Sequence, residues 1–395
     1  MPNANTIFGI FEKLGSADIK VNQQRCVVAR HKNATCMRCV EACTSECITY
    51  DPDEGVVVYP QNCIGCGTCA TVCPTCAIEI CSPTDEELQD ACLAVAEAAD
   101  GVVTIACQNF LNAAEGHYDP AKVIGVTCLG RIEESLLMTL AAAGVQKVVL
   151  VEAECDTCEH SNGRKTIELV CENARALLDL WGNAMELAIV SKLPSSTKRT
   201  AEEAYDVSKR QFFSSVREET KNAASIAAEV ALKDTLQIED TPAKPRYAKC
   251  DKDGTLPHYV PERRNQLLSA LRTMGEPADV MIDTRLWGNV IIDTEACNTC
   301  LMCSKFCPTG ALVKFEDADG TMGVSHSPSL CVKCRCCEDI CPKDAITLSE
   351  EVFAVDLLEG ETERFVMTPP KVKPGPHQMW HTMRDLLGCD QIYER

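Results

Sequence analysis

Residues 297–308 read CNTCLMCSKFCP, residues 331–342 read CVKCRCCEDICP, and residues 63–74 read CIGCGTCATVCP. All three follow C-x2-C-x2-C-x3-C-P, a spacing with a chemical meaning. Three thiolates on one tight loop reach three corners of an iron-sulfur cube, and the fourth cysteine, opening a helical turn, points at a neighbouring cube. The proline that follows (Pro74, Pro308, Pro342) has a fixed φ and no N–H, so the chain turns away just after the last thiolate. Cassettes of this kind work in pairs, and the chemistry they serve is electron transfer.

Two plainer readings of the cysteines fail. Zinc sites take two knuckles and four ligands, without crowded third and fourth cysteines. Disulfide frameworks belong to short secreted chains that lack a core, whereas this chain has 395 residues, 46% of them hydrophobic. Sixteen of its 28 cysteines fall into four such cassettes.

The first cassette is irregular, running CVVARHKNATCMRCVEACTSEC from Cys26 to Cys47. It aligns in two ways. Cys36, Cys39, Cys43 and Cys47 form a cassette with one inserted residue, or Cys26, Cys36, Cys39 and Cys43 form one with a longer first loop. The second is preferred, because it places Cys47 where the other copies carry Ala77, Ala311 and Ala345. It also leaves 20 positions from Cys43 to Cys63, close to the 24 from Cys307 to Cys331. Thr44 then replaces the usual proline.

Residues 22–82 and 288–350 resemble bacterial two-cluster ferredoxins. The resemblance implies an α+β ferredoxin-like dicluster domain at each end, with two 4Fe-4S clusters apiece and the fourth cysteines exchanged between them. One N-terminal cluster then takes Cys26, Cys36, Cys39 and Cys73, and its neighbour takes Cys63, Cys66, Cys69 and Cys43. At the C-terminal end Cys297, Cys300 and Cys303 combine with Cys341, while Cys331, Cys334 and Cys337 combine with Cys307. Cys76, Cys81 and Cys336 are left as spares.

Residues 84–192 differ in pattern. Thr84 and Glu87 form a capping box for an Ala-rich helix through Ala99. The apolar runs VVTIAC, KVIGVTC, KVVLVEAEC and ELAIV then alternate with amphipathic stretches. This predicts a central α/β domain with a parallel sheet covered on both faces, Gly130 and Gly144 marking helix ends. Cys107, Cys128 and the pair Cys155 and Cys158 sit at or just beyond strand ends, the edge where open α/β sheets bind ligands. Residues 100–182 resemble the delta subunit of methyl-viologen-reducing hydrogenases through Cys128, Gly130, Arg131, Cys158, His160 and Gly163. That resemblance implies a 2Fe-2S cluster on Cys107, Cys128, Cys155 and Cys158. Where the family's first strand ends in two close cysteines, this chain has only Cys107, and Cys155 and Cys158 are more closely spaced than the family's last pair. The plainer alternative is four free thiols acting as small hydrophobes.

Residues 193–287 are polar and helical in pattern and are expected to be a connecting segment, with Phe212, Phe213, Val216, Leu267, Leu268 and Leu271 packing against the two cluster domains. Residues 351–395, with their Pro- and His-rich TPPKVKPGPHQMWHTMRD, are expected to form an extended arm. His377 and His381 lack nearby acidic or thiol partners, which points to packing or solvation rather than metal binding.

The net charge of −20 argues against nucleic acid, since phosphate neutralisation needs clustered Lys and Arg. The local exception is Arg25, Arg30, His31, Lys32 and Arg38 around the first cassette, read either as a solvated loop or as a docking rim. Lys333 and Arg335 lie inside the fourth cassette, so the cluster held there is expected to be easier to reduce than the one held by the uncharged loop at Cys63. No 18-residue apolar run or leader pattern is present, which gives the expectation of a cytoplasmic protein in an anaerobic or microaerobic host without direct membrane insertion. There is no GxGxxG after a strand, no P-loop and no GxSxG. The leading function class is an electron-transfer subunit between partner oxidoreductases. The partners implied by resemblance are a hydrogenase, a heterodisulfide-reductase-like flavoprotein or a molybdopterin oxidoreductase subunit. The alternatives are an oxidoreductase with its own substrate or dithiol site in the central domain, and a redox-sensing scaffold.

Overall fold

The computed structural model describes residues 18–52, 55–114, 117–197, 247–359, 362–368 and 375–394. The chain begins with β1 (Ile19–Val21), α1 (Val27–Arg30), α2 (Arg38–Ala42), β2 (Ile48–Asp51), β3 (Gly55–Val58), α3 (Thr68–Val72) and β4 (Ile78–Ile80). Strand β1 pairs antiparallel with β4, Ile19 opposite Ile80, and β2 pairs with β3 as a hairpin. The two short helices α2 and α3, each ending at a fourth-position cysteine, pack against one another between these ribbons.

The central domain follows with α4 (Asp85–Ala98), β5 (Val102–Cys107), α5 (Gln108–Ala113), β6 (Ile124–Val126), α6 (Glu134–Ala142), β7 (Lys147–Val151), α7 (Asn162–Leu180) and β8 (Glu186–Val190). The predicted capping box is present: Glu87 N–H donates to Thr84 Oγ1 at 3.2 Å and Thr84 N–H donates to Glu87 at 2.8 Å. The four strands are all parallel, in the order β6-β5-β7-β8. Their centres are buried on both sides, as the continuous run Val103, Thr104, Ile105 and Ala106 requires. Gly144 follows α6 with φ +82, as a helix-ending glycine should. Gly130 does not end a helix. It lies in the 3-10 turn Leu129–Arg131, and its role is steric.

The last part comprises β9 (Tyr247–Cys250), α8 (Glu262–Met274), β10 (Met281–Asp283), β11 (Asn289–Ile292), α9 (Met302–Phe306), β12 (Leu312–Glu316), β13 (Met322–His326), α10 (Cys336–Asp339), β14 (Ile346–Ser349), β15 (Glu351–Phe353), α11 (Asp356–Glu359), β16 (Glu363–Met367), α12 (Pro376–Leu387) and β17 (Gln391–Glu394). Strands β11 and β14 repeat the β1 and β4 pairing, and β12 and β13 repeat the hairpin, to which β16 adds a third strand.

Two expectations are corrected. Leu267, Leu268 and Leu271 do lie on a helix, but α8 packs chiefly on α6 and joins the core of the central domain together with Trp287, Val352 and Leu357. Phe212, Phe213 and Val216 lie outside the described residues. The tail is also not an extended arm. β16 completes a sheet, β17 pairs parallel with β9, and α12 buries Met383 and Leu387 against Val27 and Val28. The reason is legible afterwards: Pro376 sits in the first turn, where a missing N–H costs nothing, Gly388 closes the helix in the left-handed region, and Met379, Met383 and Leu387 recur at helical spacing.

Candidate metal centres

Three cassettes share one backbone device. In each C-x2-C-x2-C loop the residue before the second cysteine and the residue after it both have positive φ: Gly65 and Gly67, Thr299 and Leu301, Lys333 and Arg335. Such alternation turns backbone N–H groups inward and makes a concavity suited to an anionic group. The residue three positions after each fourth cysteine is likewise left-handed: Glu46, Cys76, Gly310 and Asp344. The next residue then donates its N–H to the cysteine sulfur, Ala77 to Cys73 at 3.2 Å and Ala345 to Cys341 at 3.3 Å. Glu46 follows Cys43 in the same way, so the backbone places Cys43 in the fourth position and Cys47 in the alanine position.

The structure brings thiols of paired cassettes close to one another. Cys26, Cys36, Cys39 and Cys73 line one cavity with Val21, Val27 and Ile78. Burial, then the charges of its cysteine neighbours, pushes Cys39 up to about 12. Cys69 is raised well above its ordinary value by burial and by Cys66, Cys63 and Cys43 of its own set together with Cys39 of the first, so the two sets adjoin. Cys300 is raised by burial and by Cys297 and Cys341, and Cys303, pushed to about 12, adds itself to them. Cys334 is raised by burial and by neighbours that include Cys307 and Cys331, and Cys337 stands beside all three. Among the described residues no three His, Cys, Asp or Glu side chains group tightly enough for a single metal ion. Cys26, Cys36, Cys39 and Cys73 line a cavity instead, which suits a group larger than one ion.

Cys47 is a feature the sequence reading left as an alignment question. Its sulfur lies 3.5 Å from that of Cys43. Burial first, together with its hydrogen bond to Cys43, pushes Cys47 up to about 12. Cys43 is lowered despite burial by bonds from Ser45 and Cys47. The two sulfurs thus share one hydrogen bond beside the fourth-position cysteine.

In the central domain Cys107, Cys128, Cys155 and Cys158 line one cavity at the C-terminal edge of the sheet, with Asn109, His160 and Gly163. Three polar hydrogens already point at sulfur: Gly130 N–H to Cys128 at 3.4 Å, His160 N–H to Cys158 at 3.4 Å and Asn109 Nδ2 to Cys158 at 3.3 Å. Burial raises Cys128 to about 12, and its cysteine neighbours are Cys66, Cys155 and Cys158. Cys66 belongs to the N-terminal unit, so the two sites adjoin. The packing explains how. A Cβ on Gly130 would sit 2.5 Å from Thr68 Oγ1 and 2.7 Å from Gly163 Cα, and one on Gly163 would overlap Cys128 Sγ. Only glycine at both positions lets the Cys66–Cys69 loop approach Cys128.

The basic residues of the first cassette divide, Arg30 and His31 being buried while Lys32 stays exposed. Arg30 and His31 are buried against the C-terminal unit, Arg25 pairs with Glu79, Lys32 with Asp385, and Arg38 donates to Lys333 O at 3.1 Å. Lys333 is itself buried and paired with Asp283 and Glu350. Arg264 stands beside Cys331, donating to its carbonyl at 3.2 Å, and lies over the Trp287 ring at 4.4 Å.

Comparison with known proteins agrees with this geometry. The 4Fe-4S dicluster domain family matches residues 296–345, the 4Fe-4S binding domain family residues 56–79, and the methyl-viologen-reducing hydrogenase delta subunit family residues 102–210. An uncharacterized ferredoxin of Methanocaldococcus jannaschii is 41% identical over 49 residues, 12% of this chain and 79% of that protein. A ferredoxin of Streptomyces griseus is 36% identical over 67 residues, 17% of this chain and 58% of that protein. No solved structure matches. The chain is an iron-sulfur electron-transfer protein. It belongs to the ferredoxins, with 4Fe-4S domains flanking a central domain of the hydrogenase delta-subunit type. Among the described residues no helix is long and apolar enough to cross a membrane.

Proposed function

We propose that this chain is the electron-relay subunit of an oxidoreductase complex, holding four 4Fe-4S clusters on the cysteine sets given above and one 2Fe-2S cluster on Cys107, Cys128, Cys155 and Cys158. The clusters supply one-electron storage at low potential. The chain's own residues hold them, shield them from water and hydrogen-bond to the ligand sulfurs, each of which tunes the potential. The observation that carries the reading is the glycine-to-glycine approach that brings Cys128 beside the Cys66 loop, because a relay needs adjoining centres and a free thiol pocket does not.

The partners in this reading are a hydrogenase and a heterodisulfide-reductase-like flavoprotein, or a molybdopterin oxidoreductase subunit in place of one of them. Anaerobic isolation of the native assembly, with identification of co-eluting subunits, tests it. A flavin, molybdopterin or hydrogenase subunit in fixed stoichiometry is the expected result. Turnover of a substrate by the isolated chain with only an artificial donor would instead make it an enzyme in its own right.

A further inference from the structure

The two ferredoxin-like units meet at one face, and the meeting is built around a buried cation. Arg30, 3% exposed, closes α1, the turn that begins at Cys26. Its guanidinium donates to Phe306 O at 3.1 Å, Cys307 O at 3.3 Å and Pro257 O at 3.0 Å, and back to Gln24 O at 3.0 Å. Three of these four acceptors belong to the C-terminal part of the chain. Beside it the His31 ring meets Phe306 edge-on at 4.7 Å, Thr35 bonds Asp339 at 2.8 Å, and Arg38 bonds Lys333 O. Arg38 lies between Cys36 and Cys39, Lys333 between Cys331 and Cys334, so the loops of those two sets touch. Cys336, the spare thiol of the fourth cassette, is 1% exposed and lies near both Arg30 and Cys36.

The remaining sets face elsewhere. The Cys63–Cys69 loop packs on Gly130 and Arg131 of the central domain, and Thr71 Oγ1 donates to Arg131 O at 3.1 Å. The Cys297 loop faces the end of β16, where Cys297 Sγ lies 3.9 Å from Met367 Sδ and Thr299 Oγ1 donates to Thr368 O at 2.6 Å.

We propose that the two units exchange electrons across the Arg30 contact, with Arg30 as the positioning residue. The five centres then run in single file: the Cys297 set, the Cys331 set, the Cys26 set, the Cys63 set and the central Cys107 set. This rests on the cluster assignment proposed above and adds its order. Each transfer moves one electron between facing sets, oxidising one and reducing the other; no proton moves and no covalent bond changes. The electron comes from a partner reductase, or from dithionite in the test. Arg30 has two effects. Its fork of donors fixes the separation of the units, and its charge, buried and little screened by bulk solvent, favours the extra negative charge on the two sets that flank it. The two ends of the file are the Cys297 and Cys107 sets, so donor and acceptor dock at opposite ends.

The test uses the full chain, loaded without oxygen, as the unaltered form and as Arg30→Gln and Arg30→Lys. Signals are assigned to sets with the serine pairs Cys297→Ser with Cys300→Ser and Cys63→Ser with Cys66→Ser, and iron and sulfide are counted in every form. In an EPR-monitored redox titration Arg30→Gln should lower the midpoint potentials of the Cys331 and Cys26 sets and leave that of the Cys297 set in place, with Arg30→Lys restoring most of the shift. Unchanged potentials at full iron content, or a shift confined to the Cys297 set, would overturn the crossing. Should Arg30→Gln lose its iron, the serine pairs decide. The relaxation of the central two-iron signal in reduced protein should slow several-fold when the Cys63 set is removed and stay constant when the Cys297 set is removed. The opposite dependence overturns the order. A missing two-iron signal in the unaltered chain defeats the functional reading of the central domain, while the Arg30 arm still decides the crossing.

Discussion

Replacing Gly163 by alanine adds one methyl group at the point where three elements touch. Gly163 has ordinary backbone angles, so the cost is purely steric. Its new Cβ would overlap Cys128 Sγ and come within 3.5 Å of Thr68 Oγ1 and 3.6 Å of Gly130 Cα. The Cys128 sulfur cannot yield easily, because the residue is 8% exposed and the sulfur already accepts from Gly130 N–H. Overpacking of this kind costs about 1–3 kcal/mol. At about 2 kcal/mol that is roughly a thirtyfold shift in any equilibrium that needs the native geometry, here the loading of the central cluster. Gly144→Ala is the control. Nothing lies within 4 Å of its Cβ, but its φ of +82 makes the change cost about 1 kcal/mol of backbone strain far from any cysteine. After anaerobic reconstitution, Gly163→Ala should lose the two-iron EPR signal while keeping the 4Fe-4S absorbance, and Gly144→Ala should keep both. A Gly163→Ala protein with an undiminished two-iron signal would refute the packing argument.

Cys26→Ala should lose one cube's worth of iron and sulfide, whereas Cys47→Ala should keep all of it and lower the potential of the Cys43-bound cluster by removing a hydrogen bond to a ligand sulfur; equal iron loss in both would favour the other alignment. The Cys331 set, beside Arg264 and Arg30, should titrate at higher potential than the Cys63 set, whose Gly65 Cβ position lies 3.3 Å from Asp18; EPR titration giving the reverse order contradicts this. Burial lowers the His31 and His326 imidazoles from 6.5 to about 4, so the unfolded chain binds protons that the folded chain refuses between those values. Stability should therefore fall as pH drops from 6.5 toward 4, and His326→Phe should flatten part of that slope in thermal unfolding, with an unchanged slope counting against it. Asp85 holds both Arg131 and Arg263, and Asp85→Asn should destabilise the chain by about 3 kcal/mol or more through the buried arginines it strands. Unfolding that matches the unaltered chain would mean that the network is replaceable.

Much of the site was legible because thiolate spacing is a local property. The C-x2-C-x2-C loops and the strand-end cysteines keep their neighbours whatever the rest of the chain does, and the parallel sheet announced itself through runs such as VVTIAC. The irregular first cassette resisted because its signal is conformational: the left-handed Glu46 matching Cys76, Gly310 and Asp344 is invisible in residue types. The charges around it were misplaced for another reason. Arg30 and His31 look like solvated residues until a segment some 276 positions away closes over them, and no local pattern encodes that contact. The tail was misread because proline and histidine content outweighed the helical spacing of Met379, Met383 and Leu387.

The central claim is that the grouped thiols hold iron and sulfide in adjoining clusters. Mössbauer spectroscopy of iron-57-labelled, anaerobically prepared full-length chain addresses it directly. The spectrum should resolve into a dominant contribution from cubes with four irons and a minor one from a two-iron cluster, with acid-labile sulfide in step. Colourless protein, zinc in place of iron, or iron without sulfide would contradict the account.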